Sequence, residues 1–306
     1  MDPLADVLDI SHVGGALMAR VRAHEPWGIE LDGANGAGFH AITAGVCWLR
    51  TEGAPPRRLM PGDVVLLPTG LTHALVSDPD GHAERFERIA GDQPCTQGGD
   101  IVLPGPGACT RFLCVSYEYD HDVAHRLLSL LPPVLHIAAD GTGDATPLQR
   151  TLRVLADELG EPTPGSRAVV DRLIDVTFVH VVRAWLDGEN ATDASWLRGL
   201  RDPMVARAIA LLHDRPDVPW TVERLAREVD VSRATLARRF TELVGEPPLS
   251  YLTRWRMDLA ARRLRETADP LEAIAGTVGY TSEFAFSRAF SRVRGESPGR
   301  YRRLAR

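Results

Sequence analysis

Apolar residues are spaced in two different ways along the 306-residue chain. From about Arg20 to Tyr119 they form short runs separated by Gly and Pro, a pattern that predicts β-strands. The clearest runs are Phe39–Leu49, Val64–Leu67, His73–Val76, Ile101–Leu103 and Arg111–Tyr117. Turn signals at Asp32-Gly33, Pro61-Gly62-Asp63, Asp78-Pro79-Asp80-Gly81 and Gly98-Gly99 lie between them. Many short strands at close spacing predict a small barrel or jelly roll. Ahead of them, residues 2–10 read as a short acidic amphipathic helix or an arm. From Asp120 the period becomes helical, with predicted helices at His121–Leu131, Thr146–Leu159 and Ser166–Leu186. The third is apolar around much of its circumference, so it is either buried in its own domain or half of a helix–helix interface. The polar stretch Asp187–Ala194 is the best linker candidate, and a helix at Pro203–Leu212 leads into the last third.

That last third contains one pattern written twice, Thr221–Tyr251 and Leu271–Tyr301. Each copy opens with apolar residues at i, i+3, i+4 and i+7: Val222, Leu225, Ala226 and Val229, then Leu271, Ile274, Ala275 and Val278. A tight turn follows, Asp230-Val231 or Gly279-Tyr280. A second helix then opens at Ser232 or Ser282, whose hydroxyl can accept from the orphan N–H groups of the first turn. Within it Leu236, Arg238 and Phe240 correspond to Phe286, Arg288 and Phe290. Two short helices joined by a tight turn, the second bearing Arg, form the helix-turn-helix arrangement. Between the copies, Pro248–Arg265 reads as one long helix with Leu249, Leu252, Ala260 and Leu264 on a single face, widened by Trp255 and Leu259. Such a helix can hold two recognition helices about one duplex turn apart, roughly 34 Å.

Charge sharpens this division. The chain carries a net −6, but residues 201–306 hold twenty Arg against fourteen acids, and residues 1–200 fifteen Arg against twenty-seven. A basic C-terminal third on an acidic body fits a nucleic-acid-binding module attached to a sensor or assembly domain. The four cysteines, Cys47, Cys95, Cys109 and Cys114, form no CxxC pair, which predicts a reducing compartment without a disulfide framework. The acidic N-terminus has no signal-peptide pattern and no apolar run is long enough to span a bilayer, so a cytoplasmic protein is expected.

The second copy reads I-A-x-x-V-G-Y-x-S-x-x-x-F-x-R-x-F and ends in G-x-S-P-x-x-Y-R, carried by Ile274, Ala275, Val278, Gly279, Tyr280, Ser282, Phe286, Arg288, Phe290, Gly295, Ser297, Pro298, Tyr301 and Arg302. It resembles the AraC/XylS family of transcription regulators over about 100 residues. The resemblance implies a DNA-binding domain at 195–306, with helix-turn-helix motifs at about 221–243 and 271–293, and double-stranded DNA read in the major groove of a promoter operator. By position, Arg233, Ala234, Ala237 and Arg238 face outward in the first recognition helix, and Glu283, Phe284, Ser287 and Arg288 in the second. Arg238 is the first choice for a guanine contact; Glu283 is placed either to accept from a cytosine N4 or to repel phosphate. Arg239, Arg292 and Arg294 are expected on phosphate.

Upstream, Pro61, Gly62, Asp63, Pro68, Gly70 and His73 resemble the cupin signature, with His40 on the strand that would face a metal. Metal-dependent cupins resemble one another in H-x-H, a Glu and a later His. Here His40 is followed by Ala41-Ile42, leaving His40 and His73 as weak metal candidates and no confident cofactor. The expected fold is α+β: a cupin-like β-barrel at 1–120, a helical connector at 121–194 and an all-α double helix-turn-helix domain. The resemblance implies a regulator, an activator by family analogy, whose barrel senses a small-molecule, metal or redox signal, with His40, Cys47, His73, Cys109 and Cys114 as sensor candidates. It also implies a homodimer and RNA polymerase as further partners. A cupin metalloenzyme fused to a DNA-binding module and an architectural DNA binder without effector are the alternatives.

Overall fold

The computed structural model describes residues 2–11, 14–33, 36–91, 99–118, 128, 130–139, 146–160, 163–188 and 195–304. They form two compact units: Met1–Ser11 together with Ala191–Arg306, and His12–Asn190. The helix expected at His121–Leu131 falls almost entirely outside the described residues, as do Cys95 and most of the Asp187–Ala194 linker.

Helix α1 (Pro3–Ser11) belongs to the C-terminal unit, although its place in the chain suggested the barrel segment. The second unit holds eleven strands among the described residues. They are β1 (Gly14–His24), β2 (Gly28–Leu31), β3 (Ala37–Ala44), β4 (Cys47–Thr51), β5 (Arg57–Leu59), β6 (Val64–Leu67), β7 (His73–Val76), β8 (Glu84–Arg85), β9 (Gly99–Leu103), β10 (Cys109–Glu118) and β11 (Leu135–Ile137). A short helix α2 (Phe86–Gly91) follows β8. Helices α3 (Pro147–Gly160) and α4 (Ser166–Asp187) close the unit. One sheet runs β11-β6-β3-β10-β1-β9 and the other β5-β4-β7-β2-β8; the sheets do not close into a barrel. Among the described residues only β1/β9 and β2/β8 pair in parallel.

The two sheets share one core. Val21, Ile42, Phe112 and Cys114 of the larger sheet meet Ile29, Leu49 and Leu75 of the smaller, and Trp27 stacks on Phe112 at 5.3 Å. Along β1 the period-2 alternation puts Ala19, Val21 and Ala23 inside and Arg20 and Arg22 outside. The outer face of the larger sheet is partly covered by α4: Tyr117 donates to the Ile174 carbonyl at 2.9 Å and its ring meets Phe178 at 5.1 Å. The apolar run Phe39–Leu49 is two strands rather than one. It breaks at Gly45, where φ is +75° and a Cβ would stand 2.6 Å from the Cys109 carbonyl oxygen.

The Pro61-Gly62-Asp63 turn joins the sheet to the segment after β10. The Asp63 carboxylate is buried and accepts from the Met60 N–H at 3.0 Å and the Ala139 N–H at 2.8 Å. His136 Nε2 lies 3.0 Å from the same carboxylate.

In the C-terminal unit α5 (Trp196–Gly199) and α6 (Pro203–Asp214) precede the repeats. Asp202 caps α6 by accepting from the Met204 and Val205 N–H groups, and Pro203 takes the first turn, where no N–H is needed. The remaining helices are α7 (Val222–Glu228), α8 (Arg233–Val244), α9 (Pro248–Glu266), α10 (Leu271–Thr277), α11 (Glu283–Arg294) and α12 (Pro298–Leu304). Helix α1 reaches this unit through Asp6, whose carboxylate lies 3.2 Å from His213 Nδ1. The His213 ring stacks on Trp255 at 3.7 Å and its Nε2 lies 2.8 Å from the Tyr251 hydroxyl. Burial among these rings pushes the His213 pKa down to about 3, so the imidazole is neutral at physiological pH. No helix among the described residues is long and apolar enough to cross a membrane.

Replacing Asp63 with Ala leaves two part-buried backbone donors without an acceptor and His136 without its carboxylate. The expected loss is about 2–4 kcal/mol in urea unfolding of the full chain; a loss below about 0.5 kcal/mol, the scale of a neutral surface change, would show that the turn does not depend on this carboxylate.

Candidate nucleic-acid interface and sensor cleft

The two repeats fold as two helix-turn-helix lobes. Ser232 and Ser282 cap α8 and α11 by accepting from the Thr235 and Ala285 N–H groups. Both helices end in a left-handed glycine, Gly245 at φ +87° and Gly295 at φ +78°. The turns repeat the same hydrogen bond, Val231 N–H to Ala226 at 3.0 Å and Tyr280 N–H to Ala275 at 2.9 Å. Leu225 and Ile274 are thus 49 positions apart while the capping serines are 50 apart, so the second turn carries one extra residue, Thr281. The lobes are related but not superimposable by sequence register.

Exposure separates reading face from core. Leu236, Phe240, Phe286 and Phe290 are fully buried. Arg233, Ala234 and Arg238 are exposed on α8, with Ala237 half-buried; Glu283, Phe284, Arg288 and Arg292 are exposed on α11, with Ser287 half-buried. Phe284 is 71% exposed, and the Arg288 guanidinium lies 5.7 Å from its ring centroid. Arg233 pairs with Glu223 at 2.7 Å and Arg238 with Glu242 at 3.5 Å. Exposed ion pairs of this kind are worth little, so they leave both guanidinium groups available to a ligand.

Three sequence expectations change here. Arg294 is not a surface group: its side chain is 4% exposed and pairs with the buried Asp258 at 2.8 Å, which makes it part of the packing beneath α11. Arg239 is engaged with the α6 cap Asp202 at 3.1 Å as well as Glu242 at 3.7 Å. Leu249, assigned to the apolar face of α9, is exposed on the first turn of the helix.

Helix α9 serves both lobes. Its first half packs Tyr251 edge-on against Phe240 at 5.8 Å. Its second half puts Met257, Ala260, Ala261 and Leu264 into one cluster with Ile274, Val278, Phe286, Phe290 and Tyr301. Between the halves, Arg256 donates from Nε to the Pro216 carbonyl at 2.6 Å and from Nη2 to the Val218 carbonyl at 2.9 Å, in the loop before the first lobe. Its guanidinium also lies 5.7 Å from the Tyr280 ring in the turn of the second lobe. The neighbouring Gly279, at φ +79°, approaches so closely that a Cβ would lie 2.6 Å from Arg256 Nη2 and 2.7 Å from the Asp217 carbonyl oxygen. Arg256 and Gly279 thus clasp the two lobes together. Only the glycine stood out in the sequence, as part of a motif; the arginine had no pattern to mark it.

In the sheet unit a cleft of about 230 Å³ lies among Leu31, Gly38, His40, His73, Glu87 and Cys114. His40 sits opposite Cys114 in the β3/β10 ladder. Gly38 and His40 alternate onto the same face of β3, and a Cβ at Gly38 would come 3.4 Å from His73 Cε1. The missing side chain at position 38 leaves the space above the histidines open. His40 Nε2 and His73 Nε2 are 2.7 Å apart. His73 Nδ1 lies 2.7 Å from the Leu71 carbonyl, which makes Nδ1 the protonated nitrogen of His73. His73 Nε2 is then the acceptor and His40 Nε2 the donor, and the buried His40 Nδ1 is left as a lone pair with no protein partner. Burial lowers the pKa of both rings, that of His40 further because His73 adjoins it, so the pair is neutral.

As arranged, this pair does not fit a metal. Tetrahedral ligation at 2.0–2.1 Å would separate the two nitrogens by about 3.3 Å, more than the hydrogen-bonded spacing. Among the described residues no group of three or more His, Cys, Asp or Glu could hold a metal ion. The cysteine candidates differ from one another. Burial pushes the Cys47 thiol up to about 12 and the Cys114 thiol higher, so both stay protonated and unreactive; Cys109 is half-buried at the start of β10.

Comparison with known proteins matches this architecture. The cupin family profile covers residues 2–187 and a helix-turn-helix domain profile covers residues 225–304. An AraC-like transcription regulator of Streptomyces antibioticus is 40% identical over 309 residues, 99% of each chain. The HTH-type transcriptional regulator AlkR of Acinetobacter baylyi is 31% identical over 99% of each chain. Among solved structures, the C-terminal domain of AraT, a response regulator from Geobacillus stearothermophilus, is 35% identical with a TM-score of 0.33, covering 34% of this chain and 86% of that one. Its paired helix-turn-helix lobes, its cupin-type sheets and its full-length relatives place this chain in the AraC family of DNA-binding transcription regulators.

Proposed function

We propose that the chain is an effector-controlled regulator that reads two unequal half-sites on one face of an operator and takes a small molecule in the Gly38 cleft. The observation that carries the two-half-site part is the clasped pair of recognition helices with different exposed residues. Arg238 on α8 stands beside the small Ala234, while Arg288 on α11 stands beside Glu283 and the bare Phe284 ring. An arginine on such a face donates two bonds to guanine O6 and N7; Phe284 offers apolar contact to a thymine methyl. Arg233 and Arg292 supply phosphate contacts, which position without specifying. Homodimerisation, contact with RNA polymerase and activation are part of the same proposal and rest on family analogy. The sensor part rests on the cleft: a partly open space with an unpaired buried acceptor, His40 Nδ1, near its floor. Selecting bound DNA from a random library, then repeating binding across metabolite, metal and oxidant panels, tests the whole proposal.

Three results are expected. Arg238→Ala and Arg288→Ala each weaken binding to the selected operator by about 5- to 150-fold, the equivalent of ~1–3 kcal/mol, with a smaller effect on random DNA; equal losses on both would exclude base contact. Arg256→Ala loosens the clasp. Operators with their half-sites moved apart by one or two base pairs should then discriminate less against the variant than against wild type, while each isolated half-site binds both equally. Unchanged spacing preference would assign the clasp to folding alone. Gly38→Val fills the cleft, so any ligand response found in the panel should vanish while basal operator affinity stays within about twofold, less than 0.5 kcal/mol. A retained response would place the effector elsewhere.

A further inference from the structure

On the outer face of the larger sheet, opposite the cleft, a second concavity of about 530 Å³ opens where helix α3 ends. Its rim is formed by Arg20, Arg22, Asp100 and Arg111, and its floor by Leu113 together with Leu159 of α3. We infer that this groove binds a small organic anion with an apolar body, held by Arg22 and Arg111.

The inference starts from a cost in the sheet. In the antiparallel β1/β10 ladder Arg22 lies directly opposite Arg111. Like charges directly opposite each other destabilise a strand pair, and a cross-strand position is normally filled by an opposite charge or an apolar partner. Neither remedy is present at Arg111. Across the other ladder Arg111 faces Ala44, and among the described residues no carboxylate lies within ion-pair distance of it. The one acid at the rim, Asp100, belongs to Arg20: the two sit opposite each other in the β1/β9 ladder, with Nε–Oδ1 at 2.7 Å and Nη2–Oδ2 at 2.9 Å. Asp100 reaches Arg22 only at 4.0 Å. Arg20 is further fixed by donating to the Leu159 carbonyl at the C-terminal end of α3, where a cation is favoured. Arg20 is therefore engaged by Asp100 and Leu159, while Arg22 has only the 4.0 Å approach of Asp100 and Arg111 has no carboxylate partner among the described residues.

The same place has what an organic ligand needs besides charge. Leu113 is 5% exposed and sits on the strand beside Arg111, two positions on and on the same face. Leu159 is also nearly buried, so an apolar body resting there would be shielded on one side. The volume falls in the usual 300–1,000 Å³ range of small-molecule sites, where apolar walls surround a few placed polar groups. A guanidinium fork matches a planar carboxylate with two parallel bonds, and a phosphate nearly as well. The shared chemistry is an anionic oxygen head on an apolar chain. This site does not depend on the Gly38 cleft, from which it is separated by the thickness of the sheet.

The test uses the full chain and isothermal titration with octanoate, octyl phosphate, octanol and inorganic phosphate. Saturable 1:1 binding of octanoate or octyl phosphate is expected, with octanol and inorganic phosphate at least tenfold weaker; which of the two anions binds more tightly assigns the head group. In the Arg22→Ala/Arg111→Ala double variant that binding should fall at least tenfold. Both side chains are exposed and repel each other, so the melting temperature of the ligand-free variant should equal or exceed that of wild type, and a folded, non-binding variant is the supporting result. Arg111→Lys, which keeps the charge but not the fork, should fall between the two. Absence of saturable binding by both amphiphilic anions, equal binding by the double variant, or equal binding of octanol or inorganic phosphate would each overturn the inference.

Discussion

Two helix-turn-helix lobes can read DNA as one object only if their relative position is fixed, and in this chain Arg256 ties the loop before the first lobe to the turn of the second. A guanidinium on α9 donates into the Pro216–Val218 loop and stacks near Tyr280, while Gly279 lets the Asp217 backbone come closer than any side chain would allow. Apolar packing alone would not define this geometry, because hydrophobic burial is non-directional. The lobe cores are built from the same few aromatic and aliphatic residues and could tolerate small rotations about α9. The directional bonds of Arg256 to the Pro216 and Val218 carbonyls, together with its contact with Tyr280, oppose that freedom. The single extra residue at Thr281 then gives the second lobe a different entry into its recognition helix, so the two reading faces differ in backbone as well as in side chains.

Strand parity organises the sheet unit. On β1, β3 and β10 one set of positions faces the shared core and the His40–His73 pair, and the other faces α3, α4 and solvent. Two concavities arise from that one rule: on the inside because Gly38 has no side chain, and on the outside because α3 stops before it covers the arginines. They differ in chemistry for the same reason. At the inner one the imidazole pair is neutral, since burial disfavours charge on both rings, whereas the outer one is rimmed by the guanidinium groups of Arg20, Arg22 and Arg111.

Much of this was legible in the sequence, and the exceptions share a physical cause. Val64–Leu67 and His73–Val76 are strands at the expected bounds because they are short, fully buried runs bounded by turn residues. The helix-turn-helix lobes were legible because a 3.6-residue period, serine caps and terminal glycines agree with one another. Short strands such as Gly28–Leu31, Arg57–Leu59 and Leu135–Ile137 carry too few residues for a period to register, and their pairing is decided by partners far along the chain. Barrel closure is likewise a property of strand order, which no local pattern encodes. At Arg294 composition misled: an arginine at the end of a recognition helix resembles a phosphate contact until Asp258, 36 residues earlier, is found beneath it. The cleft was half legible. His40 and His73 marked it, but the role of Gly38 follows only from knowing that it shares a face with His40.

Helix α1 gives the chain a topology that domain order along the sequence conceals. Residues 3–11 lie in the C-terminal unit, with Asp6 against His213; the chain leaves it for residues 12–190 and returns at Ala191. The DNA-binding unit is thus discontinuous in sequence, and the sheet unit is an insertion between helix α1 and the rest of it, tethered at both ends. A fragment beginning at Ser195 would have the lobes and the clasp but would leave His213 Nδ1 without its carboxylate and the docking site of α1 bare. The two units of this protein are separable on the map of its sequence and interleaved in its covalent structure, so no single cut divides one from the other.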